Sequence, residues 1–292
     1  MGIFGRLCYN IKDYGLKPGK EGTELIKLIA TDIDGTLVPD GTDKIDTSIY
    51  EVIRGLKKHG IAFAGASGRQ FLSMKKLFDP VWQDIYYITD NGSILRDSRT
   101  IYKKHVIPRG LLFELIRDAK RLPGCDIMLC GEEWAYCEEY SEMFYWMRDS
   151  YKYNIQVLGD FETHLTDDIV KMSIYQKDHA EETVNAWFTP KWRNQFKIAS
   201  AGTMWMDIVE PDADKGSSLR DLQIQLGISK EETMAFGDNL NDIGMLEAAA
   251  ESYAIGSARD EVKQAARHVA PPLSQSGETQ VLRELLHRLE SE

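Results

Sequence analysis

Cysteine is scarce in this chain, four in 292 residues. Cys8, Cys125, Cys130 and Cys137 are too few to staple a fold of this size. The last three lack the paired short spacings of a zinc site, so free thiols in a reducing compartment are expected. Basic residues are also outnumbered, 35 Lys and Arg against 46 Asp and Glu, for a formal net charge of −11. That sign argues against nucleic acid as the main partner, although a local basic patch is compatible with it. No run approaches the roughly 18–20 apolar residues of a membrane span. The opening Met1-Gly2-Ile3-Phe4-Gly5-Arg6 has no apolar signal-peptide core, and its sixth residue is Arg where myristoylation wants Ser or Thr. A cytoplasmic location is the expectation. There is no internal repeat and no low-complexity tract. What remains, 43% hydrophobic and 28% charged, is a soluble globular composition with enough apolar residues for a substantial core. By length it is one large domain or two ordinary ones.

Residues 1–23 read as a polar extension with several glycines. From Leu25 a short run rich in β-branched residues leads into Thr31-Asp32-Ile33-Asp34-Gly35-Thr36, as a buried parallel strand would. The turn-rich stretch around Pro39 and Asp40-Gly41 points to a small hairpin or flap. Ile49, Val52, Ile53 and Leu56 recur at helical spacing, with Ser48 and Glu51 as a capping box and Gly60 as the stop. A second strand covers Ile61–Ala66 and a short helix 70–78. A third strand, Ile85–Ile88, ends at Thr89-Asp90-Asn91-Gly92. Strand and helix alternate with a turn after each strand, which is the pattern of a doubly wound parallel sheet. Residues 93–202 differ. Helices are expected near 109–121, 141–152 and 179–188, among short strands near 125–130, 134–138, 169–176 and 196–200, with an aromatic cluster from Trp134 to Trp146. That is an inserted α+β unit. The first pattern resumes with a strand at Met204–Val209, and continues through a helix at 216–226, a strand Thr233–Phe236 ending at Gly237-Asp238, and further helices to about 289. The expected organisation is an extension over 1–23, an α/β core made of 24–92 and 203–292, and an insert over 93–202.

In an open parallel sheet, ligands gather outside the carboxyl ends of the strands, where strand order reverses. Polar residues cluster at those ends: Asp32 with Asp34, Ser67, Asn91, and Asp238 with Asn241 and Asp242, while Lys215 stands at a loop-to-helix junction. Close carboxylates repel unless a cation neutralises them. One can then act as a nucleophile and the other as a proton donor. Gly35 permits a tight turn whose N–H groups face an anion, and Thr36 can donate to that anion. Asp32, Asp238 and Asp242 form a hard, oxygen-only set suited to Mg²⁺. Ser67 is a small donor for a phosphoryl oxygen, and Lys215 is a point cation for nucleophile and phosphate. Each feature alone is ordinarily turn or solvent chemistry. Together, each following a strand or opening a helix, they converge on one crevice.

These residues resemble the haloacid dehalogenase-like (HAD) superfamily of phosphohydrolases. Asp32-Ile33-Asp34-Gly35-Thr36-Leu37 looks like its first motif, Ser67-Gly68-Arg69 its second, Lys215-Gly216 its third and Gly237-Asp238-Asn239-Leu240-Asn241-Asp242 its fourth. Asn91-Gly92 and the position of the insert are similar to the Cof-type branch with a large α/β cap. The resemblance spans about residues 25–290, and in the cap it rests on size and position rather than on a motif. It implies that Asp32 forms an aspartyl-phosphate, and that Asp34 protonates the leaving group and later deprotonates water. Ser67, Gly68, Asn91, Lys215 and Asn241, with Thr36, would bind the phosphoryl group. Mg²⁺ would be held by the Asp32 carboxylate, the Asp34 carbonyl and Asp238, with Asp242 behind them. Substrates in the family are sugar phosphates and, in some members, pyridoxal phosphate or flavin mononucleotide.

Two other readings share these residues. A phosphosugar mutase would use the same aspartyl-phosphate, and a non-catalytic regulator would bind a sugar phosphate without needing Asp34. The pairing of Asp32 with Asp34 favours turnover. The insert leaves the core near Gly92 and rejoins it near Gly202, so it is expected to lie over the crevice as a lid. That restricts partners to small phosphorylated metabolites, without nucleic acid, phosphoprotein or membrane. The aromatic cluster at 134–146 is expected in the core of the insert rather than stacked on a ligand ring. Nothing in the sequence speaks to the oligomeric state.

Overall fold

Every residue of Leu28–Asp32 (β1) is buried, as an unbroken apolar run in a strand covered on both faces should be. The computed structural model describes residues 26–201 and 203–291; the extension over 1–23, Cys8 and the glycine at 202 lie outside the described residues. The further strands are Ala62–Ala66 (β2), Tyr86–Thr89 (β3), Ile94–Arg96 (β4), Ile101–Lys104 (β5), Asp126–Cys130 (β6), Ala135–Cys137 (β7), Ile155–Val157 (β8), Lys171–Tyr175 (β9), Lys197–Ser200 (β10), Trp205–Val209 (β11), Thr233–Gly237 (β12), Glu251–Ile255 (β13) and His268–Ala270 (β14). They form two sheets, β14-β13-β12-β1-β2-β3-β4-β5 and β10-β11-β9-β6-β7-β8.

In the first sheet β1 pairs in parallel with both β2 and β12. The chain therefore winds outward to one side through β2 and β3, and to the other through β12, β13 and β14. The reversal point is β1 itself, and Asp32 is its last residue. Helices cover both faces. Ile49–Lys58 buries Ile49, Val52, Ile53 and Leu56, and packs on one face with the C-terminal helix Gly277–Ser291. Lys215–Leu226, Ile243–Glu247 and Asp260–Ala265 cover the other. The second sheet is amphipathic by strand alternation. Ile127, Leu129, Met172, Ile174, Met206 and Ile208 face a core closed by helices. The alternate residues Met128, Lys171, Ser173, Trp205 and Asp207 face the crevice of the first sheet.

Several expectations need correction. Trp205–Val209 belongs to the second sheet, where Asp207 stands opposite both Ser173 and Ala199. A short strand buried on both faces reads the same in either sheet, and only its partners decide. At the other boundary, β4 and β5 extend the first sheet by antiparallel pairing, so the chain leaves that sheet after Lys104 and not at Gly92. The Ser48–Glu51 capping box does not form; the Ser48 hydroxyl donates to Asp46 instead. The stretch around Pro39 is a turn with a single bridge between Asp34 and Val38 rather than a hairpin. The helix expected over 179–188 is two short ones, Ala180–Asn185 and Phe188–Trp192.

Candidate active site

The turn after β1 brings two loops into contact. Gly35 has φ +89°, and a Cβ there would lie 2.3 Å from Asp238 Oδ2. Only glycine combines that backbone with that approach. Oxygens of Asp32, Asp238 and Asp242 all lie within 4.8 Å of one another. Lys215 stands among them, donating from Nζ to Asp32 Oδ1 at 2.5 Å and to Asp242 Oδ1 at 2.6 Å. The other oxygen of Asp242 accepts the backbone N–H groups of Asp238 and Asn239, each at 3.0 Å, so this carboxylate fixes the loop as well as the lysine.

Burial, and next to it the Asp242 charge, hold the Asp32 carboxyl well above the usual carboxylate range, against the opposing pull of Lys215. Burial and Asp242 likewise push Asp238 up to about 6. Burial works against the charged form of Lys215, but Asp242 and Asp32 outweigh it and raise its pKa. Three crowded carboxylates with one ammonium leave an excess of negative charge. A hard divalent cation fits that donor set.

Ser67 Oγ accepts the backbone N–H of Arg69 at 3.0 Å and lies 3.3 Å from Asp34 Oδ2. Asn91 Oδ1 accepts from Asn241 Nδ2 at 3.3 Å, and Asn91 Nδ2 donates to Asp207 Oδ2 at 2.6 Å. Asp32, Asp34, Ser67, Gly68, Asn91, Lys215, Asp238 and Asn241 all line one cavity of about 130 Å³. Thr36 is placed differently from expectation. Its buried hydroxyl donates to Asp238 Oδ1 at 3.2 Å, so its one proton is committed to that carboxylate, and Thr36 does not line the cavity.

The cavity is closed on its far side by the second sheet. Lys171 Nζ donates to the Gly68 carbonyl at 2.6 Å, within 3.5 Å of Asp90 Oδ1 and 3.7 Å of Asp207 Oδ2. Ser173 donates to Asp207 Oδ1 at 2.6 Å. The Tyr153 hydroxyl accepts the Gln70 N–H at 3.1 Å and donates to the Gly68 carbonyl at 3.2 Å. Met128, Tyr151 and Trp205 complete an apolar wall.

Arg69, Lys171, Ser173 and Asp207 were not among the expected site residues. Arg69 is part of the Ser-Gly-Arg motif, and the signal that marks the others is a polar side chain at alternate positions of an apolar strand, in Lys171-Met172-Ser173-Ile174 and Trp205-Met206-Asp207-Ile208. The expected aromatic cluster is divided. Tyr136 and Phe144 are buried in the cores of the insert and Trp146 packs against Tyr151, Tyr175 and Trp205, whereas Trp134, Tyr140 and Tyr145 are 38%, 68% and 47% exposed.

A family model described as haloacid dehalogenase-like hydrolase matches residues 29–282. The chain is 25% identical over 263 residues to the 5-amino-6-(5-phospho-D-ribitylamino)uracil phosphatase YbjI of Escherichia coli, covering 89% of this chain and 96% of that one. A solved structure from Eubacterium rectale is similar with a TM-score of 0.81 at 37% identity, over 89% of this chain and 99% of the other. The structure of a HAD subclass IIB sugar phosphatase gives a TM-score of 0.75 at 25% identity, over 88% and 98%.

Proposed function

Because the chain belongs to the haloacid dehalogenase-like hydrolases and is a phosphatase, we propose that it hydrolyses small phosphorylated metabolites through a covalent aspartyl-phosphate on Asp32. In the first step an Asp32 carboxylate oxygen bonds to phosphorus as the bond from phosphorus to the ester oxygen breaks, and Asp34 gives that oxygen its proton. In the second, Asp34 takes a proton from water, whose oxygen bonds to phosphorus and frees Asp32 and inorganic phosphate. Lys215 favours the ionised form of Asp32 and offsets charge on the phosphoryl oxygens. Ser67 and Asn241 donate to those oxygens, with Asn91 orienting Asn241 and Gly68 leaving room at the turn. A divalent cation, Mg²⁺ by the hardness of the donors, would be held by the carboxylates of Asp32 and Asp238 and the Asp34 carbonyl, with Asp242 behind them, and when bound it neutralises charge on the phosphate.

We read the second-sheet unit as a cap over this crevice. It excludes water from the reacting atoms and limits substrates to small molecules. The lining favours a sugar or polyol phosphate, since Asp207 and Ser173 offer partners for hydroxyls and Trp205 and Tyr151 a flat apolar wall. Pyridoxal phosphate and flavin mononucleotide remain in the same class. Free thiols at Cys125, Cys130 and Cys137 accord with a cytoplasmic setting. Among the described residues no helix is long and apolar enough to cross a membrane.

The observation that carries this reading is the convergence of Asp32, Asp34, Ser67, Lys215, Asp238 and Asn241 on one cavity. The test is phosphate release from a panel of sugar phosphates, pyridoxal phosphate and flavin mononucleotide, with Mg²⁺ and after exhaustive chelation. Release is expected only with the metal, and Asp32→Asn should lower it by about 10²–10⁴-fold or more while the fold is kept. Undiminished hydrolysis in excess chelator would remove the metal from the account. Transfer of phosphate within the sugar, with none released, would mark a mutase.

A further inference from the structure

We propose that the cavity selects its leaving group by charge: it takes monophosphates whose remainder is uncharged and hydroxylated, rejects those carrying a second anionic group, and uses Asp207 as the specificity-determining residue. This rests on the reading above, which places the phosphoryl group at Asp32, Lys215 and Asp238 and so turns the rest of the substrate toward the second sheet.

Five carboxylates line the cavity, those of Asp32, Asp34, Asp40, Asp207 and Asp238, against three cations, Arg69, Lys171 and Lys215. Each of those cations is already committed. Lys215 lies between Asp32 and Asp242. Arg69 is bound to Asp34. Lys171 is buried between Asp90 and Asp207, and it also donates to the Gly68 carbonyl. Lys197 lines a neighbouring cavity that shares Asn91, Asp207, Lys215 and Asn241 with this one, and it lies 3.9 Å from Asp214. A carboxylate or second phosphate on the substrate would therefore meet Asp207 and Asp40 with no uncommitted cation among the described lining residues. Asp207 is buried, so water screens its repulsion only weakly, whereas Asp40 is exposed and better screened. A bound divalent cation would add positive charge only at the phosphoryl end, where the phosphate itself absorbs it.

Hydroxyl groups meet the opposite situation. An ionised carboxylate accepts about four hydrogen bonds. Asp207 receives short ones from Ser173 and Asn91, each at 2.6 Å, which lock its orientation and leave acceptor sites for a ligand. A side chain held this way discriminates more strongly than a mobile one, since it cannot turn away from an unwelcome charge. The same strand places Trp205 two residues earlier on the same face, where a carbon chain or ring can lie flat.

A matched pair of substrates tests this. Sorbitol 6-phosphate and 6-phosphogluconate differ only in a terminal hydroxymethyl against a carboxylate. With Mg²⁺ and the full chain, kcat/KM should favour sorbitol 6-phosphate by about tenfold or more, mostly through KM. Asp207→Asn should narrow that ratio by roughly threefold or more through better use of 6-phosphogluconate, and Asp40→Asn, on an exposed loop, should narrow it less. Should neither compound be turned over, the same ratio is read from their Ki values against p-nitrophenyl phosphate. A wild-type ratio within about twofold of unity, or a ratio unmoved by both variants, overturns the proposal and leaves the phosphatase reading intact. If Asp207→Asn does not fold, the wild-type ratio and Asp40→Asn decide. No phosphate release from any sugar phosphate, pyridoxal phosphate, flavin mononucleotide or p-nitrophenyl phosphate would overturn the underlying reading, and this one with it.

Discussion

Arg69 grips the carboxylate of Asp34 at two points, Nε to Oδ2 at 2.9 Å and Nη2 to Oδ1 at 2.6 Å. The guanidinium is itself almost fully buried, and it also donates to the Thr42 carbonyl at 2.6 Å. The residue proposed to move protons is thus fixed in orientation by a planar, two-pronged partner. A lysine keeps the charge and loses the fork. Arg69→Lys should therefore lower kcat by roughly 10–100-fold with a smaller change in KM, as measured by steady-state phosphate release. Equal losses in both constants, or none, would mean that Asp34 does not need this clamp.

Asp90, Asn91 and Gly92 all have positive φ, +51°, +58° and +95°. At Gly92 a Cβ would sit 2.3 Å from the backbone of Asp214, beside the start of the helix that carries Lys215. Gly92→Ala should combine backbone strain with a steric clash. A loss of about 2 kcal/mol or more is expected in denaturant unfolding, together with reduced activity because Lys215 shifts. The same contact argues against a loose hinge at this glycine.

Lys215→Met leaves Asp32 and Asp242 buried without their cation. Removing one member of such a pair typically destabilises by about 3–5 kcal/mol. The variant should be inactive, and Mg²⁺ should raise its melting temperature more than that of the wild type. Equal metal-induced shifts would place the metal away from these carboxylates.

Glu278 is buried behind β1, with Oε2 at 2.6 Å from the Thr31 hydroxyl, which is also 2.7 Å from the Asp32 carbonyl. A hydroxyl has one proton to give, so both contacts are satisfied when Glu278 carries a proton and donates to Thr31. Burial pushes its pKa from 4.5 up to about 8. The folded state then binds the proton more tightly than the unfolded chain. This contribution to stability is fully present below pH 4.5 and fades as the pH rises to about 8. Glu278→Gln keeps a donor in place without the titration. Its melting temperature relative to wild type should climb between pH 5 and 8; a flat difference would show that Glu278 is ionised in the folded protein.

The parts of the site that were legible in the sequence are those set by local chemistry. Asp32, Ser67, Asn91 and Asp238 each follow a short apolar strand at a turn, and a parallel sheet brings such turns to one edge. What was not legible depends on partners distant in sequence. Trp205–Val209 has the apolar content of a central core strand, and only its register against Lys171–Tyr175 assigns it to the second sheet. That same register puts Asp207 beside Lys171 and Ser173, so the far wall of the cavity could not be assembled from spacing alone. Thr36 was misdirected for a related reason. Its nearest acceptor is a carboxylate 202 residues away in sequence.

The identity of the nucleophile is tested most directly by Asp34→Asn mixed with p-nitrophenyl phosphate in Mg²⁺. Nitrophenolate leaves without needing a proton, so phosphoryl transfer to Asp32 can proceed, while the second step lacks the base that activates water. The expected result is a burst of nitrophenolate equal to the enzyme present, little further turnover, and a phosphoryl group found by peptide mass spectrometry on Asp32. Steady turnover with no burst and no phosphorylated residue, or a phosphoryl group on any other side chain, would contradict the assignment of Asp32.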